Sequence, residues 1–320
     1  MRWLFLCLIF LSGAVELFAA GKNALTFLLI PPGARASSMG ESFVGVADGP
    51  ETLSVNPAGL ADEVDRQVSL QHVFFVGGIL MDQVSFVHPV QKGAWGVQAG
   101  FMGVGGLKRT VADPTVPDGF RETGDFSTQD MEVAIAAGMR MTESVHGGGT
   151  ARFVRESLSD AAANGAGLDL GIVYQQSGAP VKFGASIQNL GPQIKFKDES
   201  FNLPALVRAG ISLRLPKNSS LRWVPVKSIV SVETLKLFQG GDNSISGGIE
   251  VPFMDERLFF RMGYRYFIKK QTLGSEISLP SGFAFGLGFQ VNAWNLDYAL
   301  NSMGELGLTH RISLSLKFAS

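Results

Sequence analysis

Short segments in which apolar and polar residues alternate recur along the chain from about residue 67 to its end. The last segment places four apolar residues on one face and four polar residues on the other, namely Ile312, Leu314, Leu316 and Phe318 against Arg311, Ser313, Ser315 and Lys317. Residues 258–266 and 283–291 repeat the pattern. Because successive side chains of a strand point to opposite faces, this period of two predicts strands whose two faces meet different solvents.

The same criterion predicts fourteen strands over residues 67–320. Strands of about ten residues cross a bilayer at a steep tilt, and single-chain outer-membrane barrels have an even number of them. We therefore predict an all-β fold, a fourteen-stranded antiparallel transmembrane β-barrel. The predicted strands are 67–76, 79–89, 93–104, 129–141, 145–157, 166–176, 181–190, 205–214, 224–238, 243–252, 257–267, 281–291, 294–301 and 309–318.

The lengths of the connections support this interpretation. Connections after even-numbered strands are mostly short, whereas the long ones follow odd-numbered strands. Outer-membrane barrels sort their connections in this way, with long extracellular loops and short periplasmic turns. The predicted extracellular loops are 105–128, 158–165, 191–204, 268–280 and 302–308.

The larger aromatic residues fall at opposite ends of the predicted strands. Tryptophans lie at the periplasmic ends and tyrosines toward the other ends, as two interfacial belts would place them. A soluble β-sandwich with these residues in its core is the alternative, but it does not explain the loop lengths. The residues are Trp95, Trp223 and Trp294 on one side and Tyr264, Tyr266 and Tyr298 on the other.

The N-terminus, residues 1–21, is typical of a secretory signal peptide. Arg2 precedes a short apolar stretch, and Ala19 and Gly21 fit a cleavage site. A membrane anchor is the alternative, but Glu16 interrupts the apolar run. The single cysteine, Cys7, lies in this segment, so the mature chain would have neither a disulfide nor a cysteine metal site. We expect export to the bacterial outer membrane.

Composition excludes other classes of protein. Only 17% of residues are charged, against about 25% in ordinary globular chains. Beyond the first twenty residues, no apolar run reaches the length of a transmembrane helix. The net charge of −1 gives no field that would attract nucleic acid, so no nucleic-acid partner is expected.

Residues 22–66 lack the period of two and contain many small side chains. Asn56 and Pro57 predict a short helix through residue 63, with Asn as the cap and Pro at the first helical position. Such a segment is too short to fold alone, and we predict that it forms a plug inside the barrel. A flexible periplasmic leader is the alternative.

Three stretches carry a family resemblance: residues 33–48 with the Asn56-Pro57-Ala58-Gly59 motif, residues 186–192, and residues 296–318. Together they resemble the PorV/PorQ family of outer-membrane proteins, which is similar to the FadL long-chain fatty acid transporters. The resemblance implies a fourteen-stranded barrel with an N-terminal hatch. The candidate hatch or plug residues of this sequence are Arg35, Met39, Asn56, Pro57, Ala58 and Gly59.

The polar faces of the strands carry more basic than acidic residues. We expect most of these charges to form structural ion pairs, while the positive surplus favours an anionic ligand such as a fatty acid carboxylate. The candidate lumen-facing ligand residues are Arg140, Lys182, Arg208, Arg261, Arg265, Arg311 and Lys317. Arg214 and Lys227 complete the basic set, and the acidic set is Glu132, Asp169, Glu233, Glu250 and Asp297.

The sequence predicts neither an enzyme nor a cofactor. Its four histidines are isolated, and no nucleophile or metal-binding motif is present. A cluster of four glycines lies at the end of the third predicted strand, namely Gly100, Gly103, Gly105 and Gly106. Missing side chains there would let the strand bend inward and open the wall sideways. The alternative is a tight turn or a contact with the plug.

Three functions remain compatible with these features. The first is passive uptake of hydrophobic or amphipathic anionic molecules, with outer-membrane lipid and a fatty-acid-like ligand as partners. The second, implied by the resemblance, is a type IX secretion component that binds C-terminal signal domains of cargo through loops 105–128, 191–204 and 268–280. The third is a structural barrel without a substrate. The barrel assembly machinery would recognise the last strand, which ends at Phe318.

Overall fold

The structure is a computed structural model that describes residues 23–196, 198–216, 225, 227–239, 243–268 and 282–318. Its strands are β1 (Arg66–Phe74), β2 (Leu80–Val90), β3 (Gly93–Ala112), β4 (Phe120–Arg140), β5 (Val145–Leu158), β6 (Ala161–Tyr174), β7 (Val181–Leu190), β8 (Ile194–Phe196), β9 (Glu199–Phe201), β10 (Leu206–Arg214), β11 (Ile229–Leu237), β12 (Asn243–Phe253), β13 (Leu258–Ile268), β14 (Phe283–Val291), β15 (Trp294–Ser302) and β16 (Leu308–Phe318). The predicted signal peptide, Trp223 and residues 269–280 lie outside the described residues.

Fourteen of the described strands close into one antiparallel barrel, in which β16 returns to pair with β1. The remaining two, β8 and β9, form a separate hairpin inserted between β7 and β10. Closure leaves no unpaired edge along the ladder, so the strands of the wall pair with one another on both sides, as a lipid environment requires.

Side-chain burial alternates along the strands as the sequence pattern predicts. In β14, Phe283, Phe285 and Phe289 are exposed on the outer wall, whereas Ala284 is buried on the inner face. Soluble proteins rarely expose so continuous an apolar surface, which is suited to contact with hydrocarbon. The predicted fold class, a fourteen-stranded transmembrane β-barrel, is confirmed.

Helices in the described ranges are short, and none is both long and apolar enough to cross a bilayer.

Two predicted loops are largely strand. The predicted loop 105–128 is the far part of a β3–β4 hairpin whose connection is only 113–119, and most of the predicted loop 158–165 belongs to β6. Ladder pairing continues there although both faces of the hairpin are exposed. Where both faces meet water, the alternation of apolar and polar residues disappears, so the sequence pattern cannot show the strand. We call the barrel end that carries this hairpin the outer end and the opposite end the inner end.

The segment before β1 crosses the interior of the barrel. It begins at the outer end, where Asn23 forms a β-bridge with Asn202, and it reaches the inner end at Arg66, where β1 starts. Its helices are α1 (Ala34–Ser38), α2 (Thr52–Val55) and two short 3-10 helices, Thr26–Leu29 and Pro57–Asp62. We call residues 23–65 the plug, because most of its side chains are buried against the inner wall.

Inward-facing glycines of the wall make room for the backbone of the plug. A methyl group at Gly184 would overlap the carbonyl of Val44, and one at Gly263 would overlap the backbone of Met39 and Gly40. This close approach accounts for part of the high glycine content, 39 of 320 residues. Five other inward-facing glycines also lie directly against the plug: Gly138, Gly148, Gly171, Gly248 and Gly286.

Neighbouring glycines of β5 provide a matched test of this packing. Gly148 faces Pro57, and a methyl group there would overlap the backbone of the plug, whereas the nearest atom to a methyl group at Gly149 would be 3.5 Å away. We expect Gly148→Ala to destabilise the plugged barrel by about 1–3 kcal/mol, the usual cost of overpacking. Gly149→Ala should be nearly neutral. Thermal unfolding of the purified barrel, followed by its electrophoretic shift, measures both; equal midpoints would contradict the proposed packing.

Candidate functional site

The Asn56-Pro57 turn ties the plug to itself and to the wall. The Asn56 side chain accepts a hydrogen bond from the backbone of Ala58 (3.2 Å) and donates to the carbonyls of Val44 (3.0 Å) and Ile172 (3.2 Å). Pro57 occupies the start of the 3-10 helix, as the sequence predicts for its helical segment. Ala58 and Gly59 are buried beside it, and the turn therefore holds two plug segments against β6.

Arg35 and Met39 anchor the other half of the plug. The Arg35 guanidinium binds Glu250 of β12, with Nε 2.7 Å from the carboxylate, and also binds Asp48 of the plug. Met39 is fully buried against the inner wall. All six hatch candidates thus lie within the plug and are mostly or fully buried there; whether they move as a hatch stays a prediction.

Plug carboxylates bind several of the candidate lumenal bases. Glu41 contacts Arg265 (2.6 Å) and Arg311 (4.0 Å). Asp62 lies within 4 Å of three wall bases: 3.6 Å from Arg140, 3.3 Å from His146 and 3.7 Å from Lys182. In residues 23–65 six carboxylates accompany a single arginine. The positive surplus expected for an anionic ligand is therefore neutralised by the plug, whose own charges that expectation left out.

The remaining candidate bases have different surroundings. Arg208 binds Glu233 (2.8 Å), and Arg261 binds Glu250 and Asp297 (2.6 Å each). Lys317 is exposed and lines a cavity at the inner end. Lys227 lies outside the lumen, before β11, because the strand predicted to start at 224 starts at Ile229.

The inner-end cavity has a volume of about 280 Å³, and three carboxylates of the plug line it: Asp48, Glu51 and Glu63. Burial raises the pKa of Glu51 to about 7, and the nearby carboxylate of Asp297 adds to the rise. Glu51 accepts hydrogen bonds from the backbone of Arg35 (3.1 Å) and Ala36 (2.7 Å), at the start of α1. Burial also raises the pKa of Glu63. The attachment of α1 thus depends on a carboxyl group that titrates near neutral pH.

The outer half of the lumen is filled by apolar side chains of the plug itself. Leu25 and Phe27 are buried in a cluster with Val73, Met81 and Val154 of the wall. Leu28 and Ile30 pack against the same cluster. The plug therefore occupies the apolar volume that a hydrophobic ligand entering from the outer end would reach first.

One stretch of the wall beside this cluster has a gap in its row of inward-facing side chains. Inward-facing Gln83, Gly100 and Glu132 are direct neighbours across β2, β3 and β4. A methyl group at Gly100 would meet nothing closer than 3.8 Å, so this glycine is not required by packing and leaves a gap in the row. All three residues line both a small cavity inside the barrel and a groove of about 590 Å³ on the outer wall.

The groove on the lipid side is mainly apolar. Leu70, Val84, Phe101 and Ile312 are among its lining residues. His72 and Asp82 stand at the same groove, with His72 Nδ1 2.5 Å from Asp82 Oδ1. An ionisable pair on a lipid-facing wall is costly and marks a site of function by default. Sequence reasoning missed this pair, because the two residues meet only through the register of β1 and β2.

The other glycines of the predicted kink are placed differently. Gly103 faces outward and is paired with both neighbouring strands, opposite Leu80 and Gln129. Gly105 and Gly106 form a β-bulge beyond the last pair of β2, at the base of the projecting hairpin. The bulge interrupts the β3–β4 ladder there, and an opening of the wall at these residues stays a prediction. Of the four residues, Gly100 alone leaves space beside the lumen.

Several solved structures share the fold of this chain. The chain is similar to the toluene transporter TbuX of Ralstonia pickettii (TM-score 0.60, 16% identity, covering 89% of this chain and 98% of that one). It is also similar to the toluene transporter TodX of Pseudomonas putida (TM-score 0.60, 14% identity, 90% and 99% covered) and to a FadL homologue of Pseudomonas aeruginosa (TM-score 0.58, 11% identity, 90% and 98% covered). No family model and no curated protein matches the chain. The fold is therefore FadL-like.

Titration of Glu51 predicts that the plug is held more firmly in acid. Its folded pKa, about 7, lies above its ordinary value of 4.5, so the stabilisation grows as pH falls from 7 to 4.5 and is lost as pH rises through 7. The effect is at most about 3 kcal/mol. Proteolysis of the plug in the folded barrel should be slower at pH 5.5 than at pH 8.

Glu51→Gln should reduce this pH dependence, leaving the smaller contribution of Glu63. Asp65→Asn is the control, because Asp65 does not line the inner-end cavity. A pH dependence that is the same in wild type and Glu51→Gln would show that another group controls the attachment.

Proposed function

We propose that this protein is a channel of the bacterial outer membrane for the passive uptake of small hydrophobic molecules. The observation that carries the proposal is the gap at Gly100, a residue that lines both the small cavity inside the barrel and the outer-wall groove. The shared fold of the toluene transporters and the lipid-compatible outer wall support it. No step of this process requires a cofactor or a chemical reaction.

We infer a route that enters at the outer end and leaves through the wall. The ligand would displace Phe27 and Leu28 from the outer apolar cluster and then reach Gly100. From there the groove on the outer wall leads into the hydrocarbon of the membrane. A straight route to the inner end would require breaking the ion pairs of Arg35, Glu41 and Asp62. The lateral route leaves these contacts intact.

A protein-binding role remains a second proposal. The β3–β4 hairpin projects from the outer end and exposes charged residues, including Lys108, which lies 3.0 Å from Asp125. Such a ribbon offers a rigid surface to a partner protein, as the predicted PorV/PorQ relationship and a type IX secretion role would require. A barrel without substrate is the third possibility. Deletion of residues 107–125 separates these proposals, because it should abolish partner binding and leave uptake intact.

Filling the gap at Gly100 tests the uptake route. We expect Gly100→Val to lower the rate of toluene uptake about tenfold or more, because the added methyl groups occupy the passage while the wall itself has room for the Cβ atom. The measurement is the initial rate of uptake of labelled toluene by cells that have no other such transporter.

Gly105→Val is the matched control, because a methyl group at Gly105 would meet no atom within 4 Å. It should leave uptake unchanged. If Gly100→Val barrels insert normally and carry toluene at the wild-type rate, the passage is elsewhere.

A further inference from the structure

We propose that the wall passage selects neutral apolar molecules that carry a hydroxyl or carbonyl oxygen and rejects carboxylates. This inference rests on the proposed uptake function and adds the chemical class of its ligand. The argument depends on the charge balance around Gly100 and on two buried polar atoms that have no partner.

The inner side of the passage has an excess of negative charge. Arg152 is bound to two carboxylates, Glu132 (Nη1 to Oε2, 2.8 Å) and Asp169. All three side chains are buried, and together they carry one net negative charge. Among the residues of the chain that the structure describes, Glu132 is the carboxylate lining both sides of the passage. A carboxylate ligand would lose its hydration in the passage and would be repelled there by the negative charge of Glu132.

The second guanidinium that lines the small cavity inside the barrel belongs to Arg208, and it already has partners. Arg208 binds Glu233 (2.8 Å) and donates from Nε to Gln188 (3.0 Å). On the lipid side, Asp82 adds a further carboxylate beside His72. A carboxylate ligand therefore finds no free cation within the described lining of the passage, although the lumen as a whole contains many arginines.

Two polar atoms at the passage lack hydrogen-bond partners within the described structure. Arg152 Nε is a donor on the inner side, and Gln71 Oε1 is an acceptor that lines the groove. Both residues are more than nine-tenths buried. A buried polar atom left without a partner costs about 1–3 kcal/mol, so Arg152 Nε would gain from a ligand acceptor and Gln71 Oε1 from a ligand donor. A hydroxyl group serves both, because it accepts and donates, and a carbonyl serves the donor.

Three ten-carbon probes distinguish the effect of a hydroxyl group from that of a negative charge: 1-decanol, decanoate and decane. Initial uptake rates at pH 8 are measured in porin-deficient cells that have no other transporter of this type, with empty-vector cells as background. We expect 1-decanol to enter faster than decane, and at least about tenfold faster than decanoate, which is the scale of one unpaired charge near another at an intermediate dielectric.

Two variants assign the selectivity to residues. Glu132→Gln should raise the ratio of the decanoate rate to the decane rate about tenfold, and Arg152 keeps Asp169 as a partner in this variant. Gln71→Met should lower the ratio of the 1-decanol rate to the decane rate by about threefold. Ser231→Ala is the control, because Ser231 has an unpartnered buried hydroxyl on β11, away from the passage.

The outcomes distinguish this inference from the uptake function. If decane enters above background while 1-decanol has no advantage over it and decanoate enters equally fast, the selectivity is wrong and the uptake function stands. Unchanged rate ratios in both variants would also overturn the selectivity. If no probe enters above background, the uptake function fails and the selectivity fails with it.

Discussion

The structure depends on ion pairs between the wall of the barrel and the plug. An ionised side chain inside a narrow lumen is stable only when an opposite charge or several hydrogen bonds replace its water. Glu233 shows how this is met, because it binds Arg208 and also accepts the backbone N–H groups of Phe43 and Val44, each at 2.8 Å. The plug thus adds backbone hydrogen bonds to a carboxylate that the wall already pairs with an arginine.

The contacts between the wall and the plug differ around the barrel, and they are weaker beside the gap at Gly100. The inner faces of β1, β2 and β3 near the passage carry neutral amides and hydroxyls, such as Gln71, Ser85 and Gln98. They bind the plug through weaker contacts, of which Ser54 to Gln98 (3.3 Å) is one. A ligand that passes on this side disturbs fewer charged contacts than one that moves α1. The charged contact at the passage, between Glu132 and Arg152, lies within the wall, whereas Glu250 of the wall holds the plug through Arg35. This difference is the basis of the proposed function.

Local patterns of the sequence were sufficient for the architecture. The period of two predicts the strands because each spanning residue has either lipid or the lumen beside it, and the capping chemistry of Asn56 and Pro57 predicts the turn of the plug. The same reasoning fails for the β3–β4 hairpin, where both faces are wet. The relation to the PorV/PorQ family and the secretion role that it implies stay predictions.

The site required contacts that no local pattern contains. Asp62 and Lys182 are distant in sequence, so counting charges on strand faces alone left a surplus that the plug removes. Gly100 differs from the inward glycines beside the plug only in having nothing packed against it, which depends on the path of residues 23–65. The pairing of His72 with Asp82 follows from strand register, which the sequence constrains through alternation but does not specify.

A crystal structure of the barrel soaked with bromobenzene tests the central claim most directly, because anomalous scattering locates each bromine atom. The account predicts bromine peaks in the outer apolar cluster near Phe27 and in the groove beside Gly100, with the plug still bound to Glu233 and Glu250. Peaks that instead run past a displaced α1 into the inner-end cavity, with none at Gly100, would contradict it.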